Sequence, residues 1–369
     1  MKDIFDEVEF GDFKLNSRIV RTGTWETETE EGGFLSPAIY DRYEKIASSG
    51  TGLIISEMFV LDHKDRFAPY SSSLNYVGFV KDYKMITDIC HNHDVPVLGQ
   101  LAFFYYDDGD NQKAEANDLT LEGIRKLQAE VIMAAKKFSF AGFDGIQIDM
   151  GNNFYLTRFI NPYFNQRKDQ YGGNTENRVR IASEIIKVIK KTMPGFHVSI
   201  RINPWDVRKD GMTAEESLNV AKELEKAGAD SIQLTARTIS YLYDGAEKNP
   251  FLIYVDKLID EVDIPVILGG SLRDMASMND VLNHTDVEFM SMSKPFVAQL
   301  TFWQTGRQTA KASQYVKAAT TVTVKRPVPA LNIRQYCCLF YFFTYFLAFS
   351  FFFYLKSYKI KEFSTIIFN

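Results

Sequence analysis

The chain has 369 residues, of which 46% are hydrophobic, and a formal net charge of -5 at pH 7. That hydrophobic content is ample for a large core, although the length alone does not decide between one domain and two. The acidic balance and the lack of clustered Lys and Arg argue against a nucleic-acid partner, so we expect a small molecule instead. The oligomeric state stays open, a homo-oligomer included.

The cysteines and the amino terminus bear on the compartment. Cys90 stands alone and Cys337 and Cys338 are adjacent, so no spacing suits a metal site or a disulfide framework. The first fifteen residues, MKDIFDEVEFGDFKL, are charged throughout and lack the apolar core of a signal peptide. We expect synthesis in the cytosol without export, and therefore a cytoplasmic protein.

Short apolar runs alternate along the chain with segments of helical period. The runs predicted as strands are 18–22, 52–57, 96–101, 144–149, 197–203, 230–235, 265–269 and 288–292, and the segments predicted as helices are 36–49, 80–93, 120–140, 176–192, 213–227, 251–262 and 272–283. Strand followed by helix, repeated over this length, predicts a parallel (β/α)8 TIM barrel of the α/β class. A doubly wound open sheet would have fewer repeats and a glycine-rich first turn, which the sequence lacks.

In such a barrel the chemistry lies at the carboxyl ends of the strands. The first predicted strand ends in Thr22-Gly23-Thr24-Trp25, which suits the close approach and stacking of a flat ligand but also describes an ordinary turn with a packed Trp. Gln100 ends the third strand, where a buried amide can both donate and accept. Arg201, between two isoleucines of the fifth, needs either an anionic ligand or a salt bridge inside the barrel.

Two later strand ends carry groups that are typical of a phosphate site. Gly270 and Ser271 follow the seventh predicted strand, and Ser293 and Lys294 follow the eighth. Barrels commonly bind phosphate at these loops with backbone N–H groups, the start of a helix and one cation.

The long polar loop after the fourth predicted strand carries the densest pattern in the sequence. It contains Asn161-Pro162, Asn165, Arg167, Asp169, Tyr171-Gly172-Gly173 and Glu176-Asn177-Arg178. This pattern closely resembles the signature of the Old Yellow Enzyme family, the FMN-dependent NADH:flavin oxidoreductases. We expect Arg167, Asp169 and Arg178 to fix the loop in place rather than to touch substrate.

The resemblance implies FMN at the mouth of the barrel and hydride transfer from NADH or NADPH to a small electron-poor acceptor such as an activated alkene. It assigns the flavin ring to Thr22, Gly23, Thr24, Trp25, Gln100 and Arg201, and the phosphate to Gly270, Ser271, Ser293 and Lys294. One branch of the family has a similar Arg-Ser-Ala-Thr-Trp-Glu run lining the flavin. Relatives usually carry Gly-Arg where Ser293-Lys294 stands, so the phosphate cation here lacks a bidentate fork.

The catalytic positions depart from the family pattern. Relatives have a His, then a His or Asn three positions on, and then a Tyr two further, which hold and protonate the acceptor. Asp149, Asn152 and Phe154 stand there in this chain, with Tyr155 next to the last. We take Asp149, Asn152 and Tyr155 as the catalytic candidates. Because a family His and the Tyr are missing, a barrel that binds flavin without turnover, as a scaffold, is the alternative.

The charge of Asp149 decides which acceptor it can serve. An ionised carboxylate would repel the anion that develops on an activated alkene as hydride arrives. We expect Asp149 either to be kept protonated by burial, or to pair with a cationic substrate or with Arg158 or Arg237.

The composition changes beyond about residue 322. Residues 336–355 are uncharged and almost entirely apolar, which is long enough for a bilayer span and would make the segment a tail anchor. The narrow set of residue types in this part of the chain, mainly Phe, Tyr, Leu, Ser, Lys, Ile and Asn, instead favours an out-of-frame or intron-derived tail. We predict a flavin-binding barrel over residues 1–322 and an atypical tail over 323–369, with membrane contact only if the tail is genuine.

Many relatives carry a cysteine cluster for an iron–sulfur centre near the position of residues 312–315. This chain has Ala-Ser-Gln-Tyr there. The resemblance therefore does not extend to an iron–sulfur cluster.

Overall fold

The computed structural model describes residues 2–24, 29, 34–62, 71–104, 115–235, 249, 251–270, 272, 275–293 and 296. Within these residues strands and helices follow one another in the order β1 (Val8–Phe10), β2 (Phe13–Leu15), β3 (Ile19–Arg21), α1 (Pro37–Ala47), β4 (Leu53–Val60), β5 (Ser72–Ser73), α2 (Phe79–His91), β6 (Val97–Leu101), α3 (Leu121–Phe140), β7 (Gly145–Met150), α4 (Thr157–Ile160), α5 (Thr175–Thr192), β8 (His197–Ile202), α6 (Ala214–Ala227), β9 (Ser231–Leu234), α7 (Leu252–Glu261), β10 (Val266–Leu268), α8 (Met275–His284) and β11 (Phe289–Met292).

Eight of these strands close into a parallel barrel. The order around it is β3, β4, β6, β7, β8, β9, β10 and β11, and β3 pairs with both β4 and β11 to complete the ring. Each of the eight overlaps its predicted range, so the predicted (β/α)8 barrel is confirmed. The short strand β5 pairs in parallel with the outer end of β4.

The capping residues explain where several helices begin. Thr120 and Asn174 precede α3 and α5, and each side chain accepts a hydrogen bond from the backbone N–H three residues on. Thr213 opens α6 with a complete capping box, because Glu216 reaches back to the Thr213 backbone. Ser36 before α1 makes no side-chain cap bond, and Pro37 at the first helical position starts that helix instead.

An antiparallel hairpin covers the amino-terminal end of the barrel. Strands β1 and β2 bring Phe10 and Phe13 against the ring of His197, the first residue of β8, with centroid separations of 5.4 and 5.1 Å. His197 also shares a hydrogen bond with Ser231 at 2.9 Å. Burial of the imidazole lowers the pKa of His197 to about 4, so the ring is neutral at neutral pH. This end of the barrel is sealed, which leaves the carboxyl end for ligands.

None of the helices in the described part of the chain is both long and apolar enough to cross a membrane. The predicted tail, residues 323–369, lies outside the described residues, as does the apolar segment 336–355 within it.

Candidate active site

Strand register brings the predicted residues to one end of the barrel. Asp149 on β7 lies opposite Arg201 on β8, and Arg201 in turn lies opposite Gln233 on β9. Gln100 on β6 lies opposite Gln147 on β7. Because parallel strands all end at the same side, these polar groups face one mouth although they are far apart in the sequence.

Asp149 and Arg201 form an ion pair at this mouth. The Arg201 Nη1 donates to Asp149 Oδ2 at 3.1 Å, and the Asp149 side chain is fully buried while that of Arg201 is 12% exposed. The second guanidinium nitrogen, Nη2, donates to the hydroxyl of Thr235 at 3.0 Å. The charge of Arg201 is therefore already paired within the protein.

Asp149 pairs with an arginine, as one of the alternatives expected, but Arg158 is not that partner. Arg158 bonds to Glu115 at 2.7 Å, and Arg237 lies outside the described residues. The cation that faces Asp149 is Arg201, for which the sequence left open a salt bridge inside the barrel as well as an anionic ligand. The reason is the parallel register of β7 and β8, which places the two side chains on neighbouring strands, 52 residues apart in the chain.

Burial raises the pKa of Asp149 above its ordinary value, whereas Arg201 and the backbone N–H of Gly151 act to lower it. The Gly151 N–H bonds to Asp149 Oδ1 at 2.9 Å. The pKa of Asp149 therefore depends directly on Arg201. Replacing either residue changes the electrostatic environment of the other.

Asn152 joins the same network from the turn that follows β7. Asn152 and Asn153 both have positive φ, 53° and 64°, a left-handed conformation that Asn tolerates better than most residues. The turn brings Asn152 Nδ2 to 3.1 Å from Thr235 Oγ1, which also accepts from Arg201. Thr235 thus links two of the predicted residues, and sequence reasoning missed it although it stands at a strand end.

Tyr155 lies in the wall behind this network. Its ring is completely buried, stacks on Phe103 at 5.7 Å and contacts the edge of Phe159 at 5.9 Å. Its backbone N–H donates to the carbonyl of Phe103 at 2.7 Å. Phe154 packs in turn against Phe104, with ring centroids 4.4 Å apart. The structure thus brings Asp149 and Asn152 together and places Tyr155 in aromatic packing.

The turn after β3 contacts both Gln100 and the end of β11. The Thr24 hydroxyl shares a hydrogen bond with Ser293 at 2.9 Å, which joins a ring candidate to a phosphate candidate. A Cβ placed on Gly23 would lie 2.0 Å from Gln100 Oε1. We expected Gly23 to let the backbone approach a flat ligand, but the space it leaves is taken by the carboxamide of Gln100. Trp25 lies outside the described residues.

The turn after β10 is shaped by Asn249, which is not among the predicted site residues. Asn249 Nδ2 donates to the carbonyl of Gly270 at 2.6 Å, and Gly270 has a φ of 81°, which glycine adopts without strain. Ser271 and Lys294, predicted beside Gly270 and Ser293, lie outside the described residues.

The long loop after β7 is held by its own polar side chains. Arg167 bonds to Asp169 and to the carbonyls of Ala116 and Leu119, both at 2.7 Å. Arg178 donates to the carbonyl of Ile160 at 2.9 Å and pairs with a carboxylate of α6. The prediction that Arg167, Asp169 and Arg178 fix the loop is confirmed.

Within the described residues, two buried polar atoms at the mouth, Gln100 Oε1 and Arg201 Nε, have no hydrogen-bond partner. One is an acceptor and the other a donor, and each would cost about 1–3 kcal/mol if left unsatisfied away from water. The isoalloxazine ring of FMN offers a ring N–H together with carbonyl oxygens and ring nitrogens, which complement these two atoms. The residues present therefore fit this cofactor.

Comparison with known proteins decides the family. The model of the NADH:flavin oxidoreductase / NADH oxidase family matches residues 3–311. The chain belongs to this family. It is therefore an NAD(P)H:flavin oxidoreductase of the Old Yellow Enzyme type with FMN as its cofactor, which confirms the resemblance in the loop after β7.

Two relatives with similar sequences share about a quarter of the aligned residues with this chain. An NADPH dehydrogenase from Listeria welshimeri is 27% identical over 252 residues, which cover 64% of this chain and 73% of the relative. An NADH oxidase from Thermoanaerobacter brockii is 24% identical over 320 residues, which cover 80% of this chain but only 49% of the relative. An old yellow enzyme homologue from Zymomonas mobilis has the same fold, with a TM-score of 0.68 at 20% identity over 83% of this chain and 92% of that one.

Proposed function

We propose that the protein transfers hydride from NADH or NADPH, by way of FMN, to a small electron-poor acceptor such as an activated alkene. The observation that carries this proposal is a pair of buried atoms, Gln100 Oε1 and Arg201 Nε, to which the described part of the chain offers no hydrogen bond, at a mouth that also holds the Asp149–Arg201 pair. The chemistry that FMN supplies when bound is hydride transfer between the nicotinamide and the acceptor.

The protein's contribution is to hold the ring, hold the phosphate and receive the acceptor. We assign the ring to Thr22, Thr24, Trp25, Gln100 and Arg201, with Gly23 leaving room for the Gln100 carboxamide, and the phosphate to Gly270, Ser271, Ser293 and Lys294. The side chains of Thr24 and Ser293 share a hydrogen bond, which supports one continuous site for the ring and the phosphate of the cofactor.

Asp149 and Asn152 are the groups that we assign to the acceptor. Because Asp149 is paired with Arg201, it does not present an isolated negative charge to an anion that develops on the acceptor. The same pairing disfavours a cationic substrate, since the carboxylate is fully buried and already neutralised. The carboxamide of Asn152 lies beside this pair, since its Nδ2 donates to the Thr235 hydroxyl that also accepts from Arg201.

Proton delivery to the reduced acceptor is assigned to water. The family position for a proton donor is Phe154 here, and Tyr155 is completely buried between Phe103 and Phe159. A buried hydroxyl behind a phenyl ring is poorly placed to give a proton to a ligand at the mouth. This departure is also what supports the second candidate, a flavin-binding barrel that has lost turnover.

Rapid mixing under anaerobic conditions tests the two half-reactions separately. We expect NADH or NADPH to bleach the absorbance of the oxidised flavin, and the reduced protein to be reoxidised by cyclohexenone or N-ethylmaleimide. A flavin that stays oxidised with both nicotinamides would overturn the proposal and favour the scaffold. Reoxidation by a quinone but by neither alkene would contradict the assignment of the acceptor.

Two neighbouring asparagines provide a matched comparison for the acceptor site. Asn152→Ala and Asn153→Ala impose the same left-handed strain on alanine, but Asn152 bonds to Thr235 whereas Asn153 bonds to Arg208. We expect Asn152→Ala to slow reoxidation by the alkene about tenfold or more while Asn153→Ala does not. Equal effects of the two changes would remove Asn152 from the acceptor site.

We further propose that the protein works in the cytoplasm on a small-molecule acceptor. Fractionation of cells that express the full chain, compared with a chain that stops at residue 322, tests the tail. Recovery of both forms in the soluble fraction supports the proposal, whereas membrane recovery of the full chain alone would make the tail an anchor.

A further inference from the structure

Three glutamine side chains form a hydrogen-bonded row across the interior of the barrel. Gln100, Gln147 and Gln233 lie on β6, β7 and β9 and are at most 1% exposed. Gln100 Nε2 donates to Gln147 Oε1 at 2.8 Å, and Gln147 Nε2 donates to Gln233 Oε1 at 3.0 Å. We call these three residues the glutamine row.

The row ends on hydroxyl groups next to the turn where it began. Gln233 Nε2 donates to Thr22 Oγ1 at 2.8 Å and to Ser291 Oγ at 2.7 Å. Thr22 directly precedes Gly23, the residue against which Gln100 Oε1 lies. The row therefore runs from one side of the Thr22–Thr24 turn, around the barrel interior, to the other side of the same turn.

The row determines which atom of the Gln100 carboxamide is left for a ligand. Since Nε2 is engaged by Gln147, Oε1 points the other way, and none of the residues that the structure describes donates to this buried oxygen. A reversal of Gln100 would place two carbonyl oxygens together unless Gln147 reversed as well, and Gln147 could not reverse without Gln233. The three amides are thus coupled in orientation.

We propose that Gln147 and Gln233 are positioning residues that hold Gln100 with its carbonyl oxygen toward the N–H of the isoalloxazine ring. Neither needs to touch the cofactor, because each acts through the next amide in the row. This inference deepens the flavin assignment and rests on the binding of FMN at this mouth. It explains why three fully buried amides, which are costly unless paired, are linked to one another in the barrel interior.

Two substitutions at Gln147 distinguish its effect on the orientation of the Gln100 carboxamide from its effect on packing in the barrel. Gln147→Met keeps the length and volume of the side chain but removes the acceptor that holds Gln100 Nε2. Gln147→Glu keeps an oxygen acceptor for Gln100 Nε2 but removes the donor to Gln233 Oε1, so Gln233 must reverse, donate to the carboxylate and accept from the hydroxyls of Thr22 and Ser291. Titration of the flavin-free full-length chain with FMN, followed by quenching of flavin fluorescence, is expected to give a Kd raised about tenfold for Gln147→Met and by less than about threefold for Gln147→Glu.

A double-variant cycle with Gln100→Ala tests whether the effect passes through Gln100. In that background Gln147→Met should change the Kd by less than about twofold, because the amide that it orients is gone. Additive effects in the cycle, or an unchanged Kd for Gln147→Met, would overturn the inference. If Gln147→Met does not fold, Gln233→Met, at the next residue of the row, replaces it in the same cycle. The same outcomes then support or overturn the inference.

The outcomes separate this inference from the flavin assignment itself. A wild-type chain that binds no FMN contradicts the proposed function, and the inference with it. A wild-type chain that binds FMN tightly, together with a Gln147→Met variant of equal affinity, contradicts the glutamine row alone.

Discussion

Arg201→Met removes the cation that faces Asp149 and should leave a buried carboxylate unpaired. The two charged groups are 3.1 Å apart, and at an effective dielectric constant of about 20 such charges attract by about 5 kcal/mol before desolvation is subtracted. Removal of one member of a buried ion pair typically costs about 3–5 kcal/mol in unfolding free energy. Because the Arg201 side chain keeps some solvent contact, we expect a loss of about 3 kcal/mol at neutral pH.

The loss should depend on pH in a defined direction. Burial already raises the pKa of Asp149 and Arg201 opposes the rise, so the pKa rises further when Arg201 is removed. A carboxyl group whose pKa is higher in the folded than in the unfolded protein contributes stability below its unfolded pKa and loses it as pH rises through the folded pKa. The deficit of Arg201→Met should therefore shrink as the pH falls and Asp149 takes up a proton.

Urea unfolding followed by circular dichroism, at about pH 5 and about pH 7.5, measures this difference. The double variant Asp149→Asn/Arg201→Met should recover at least about half of the loss at the higher pH, because no charge is then left unpaired. An equal deficit at both pH values, with no recovery in the double variant, would refute the reasoning. In the flavin-bound protein, Arg201→Met should weaken FMN binding or lower the flavin potential, since a nearby cation favours the electron-rich reduced ring.

Three further predictions concern the turns and the sealed end of the barrel. Gly23→Ala places a Cβ 2.0 Å from Gln100 Oε1, so the carboxamide must move and the Kd for FMN should rise about tenfold or more in the same titration. Asn249→Ala removes the 2.6 Å bond to the Gly270 carbonyl; we expect the affinity for FMN to fall about fivefold while that for riboflavin, which has no phosphate, is unchanged. His197 has its pKa lowered from 6.5 to about 4 by burial, so its contribution to stability is present above pH 6.5 and is lost as the pH falls toward 4. Between about pH 7 and about pH 5 the unfolding free energy should drop by about 2 kcal/mol more in the wild type than in His197→Gln, as measured by urea unfolding.

The sequence alone predicted the barrel because the patterns that indicate its strands and helices are local. Each buried strand is a short apolar run, and each amphipathic helix repeats its apolar positions within one or two turns. Caps such as Thr120, Asn174 and Thr213 mark helix starts within three residues of their partners. The family pattern between Asn161 and Arg178 is likewise contained in one loop, so no knowledge of distant contacts was needed to recognise it.

The pairing of charges at the mouth was not available from the sequence. The sequence offered Asp149 several partners and Arg201 either an anionic ligand or a salt bridge, and only the register of β7 against β8 makes the two residues partners. The choice among Arg201, Arg158 and Arg237 depends on which strand lies next to β7 and which side chains point inward. The residues that flank Asp149 in the sequence determine neither property.

The residues of this chain thus determined its element order, its barrel and its flavoprotein family, because those follow from periodicity and from short contiguous patterns. The glutamine row, the links through Thr235 and Asn249, and the space that Gly23 leaves for Gln100 were decided only by the closed barrel. Each joins side chains from different strands or turns, and their contact depends on parallel register and on which side of each strand faces inward. The physical reason is that a strand's own sequence fixes that it is buried but not which neighbours it meets.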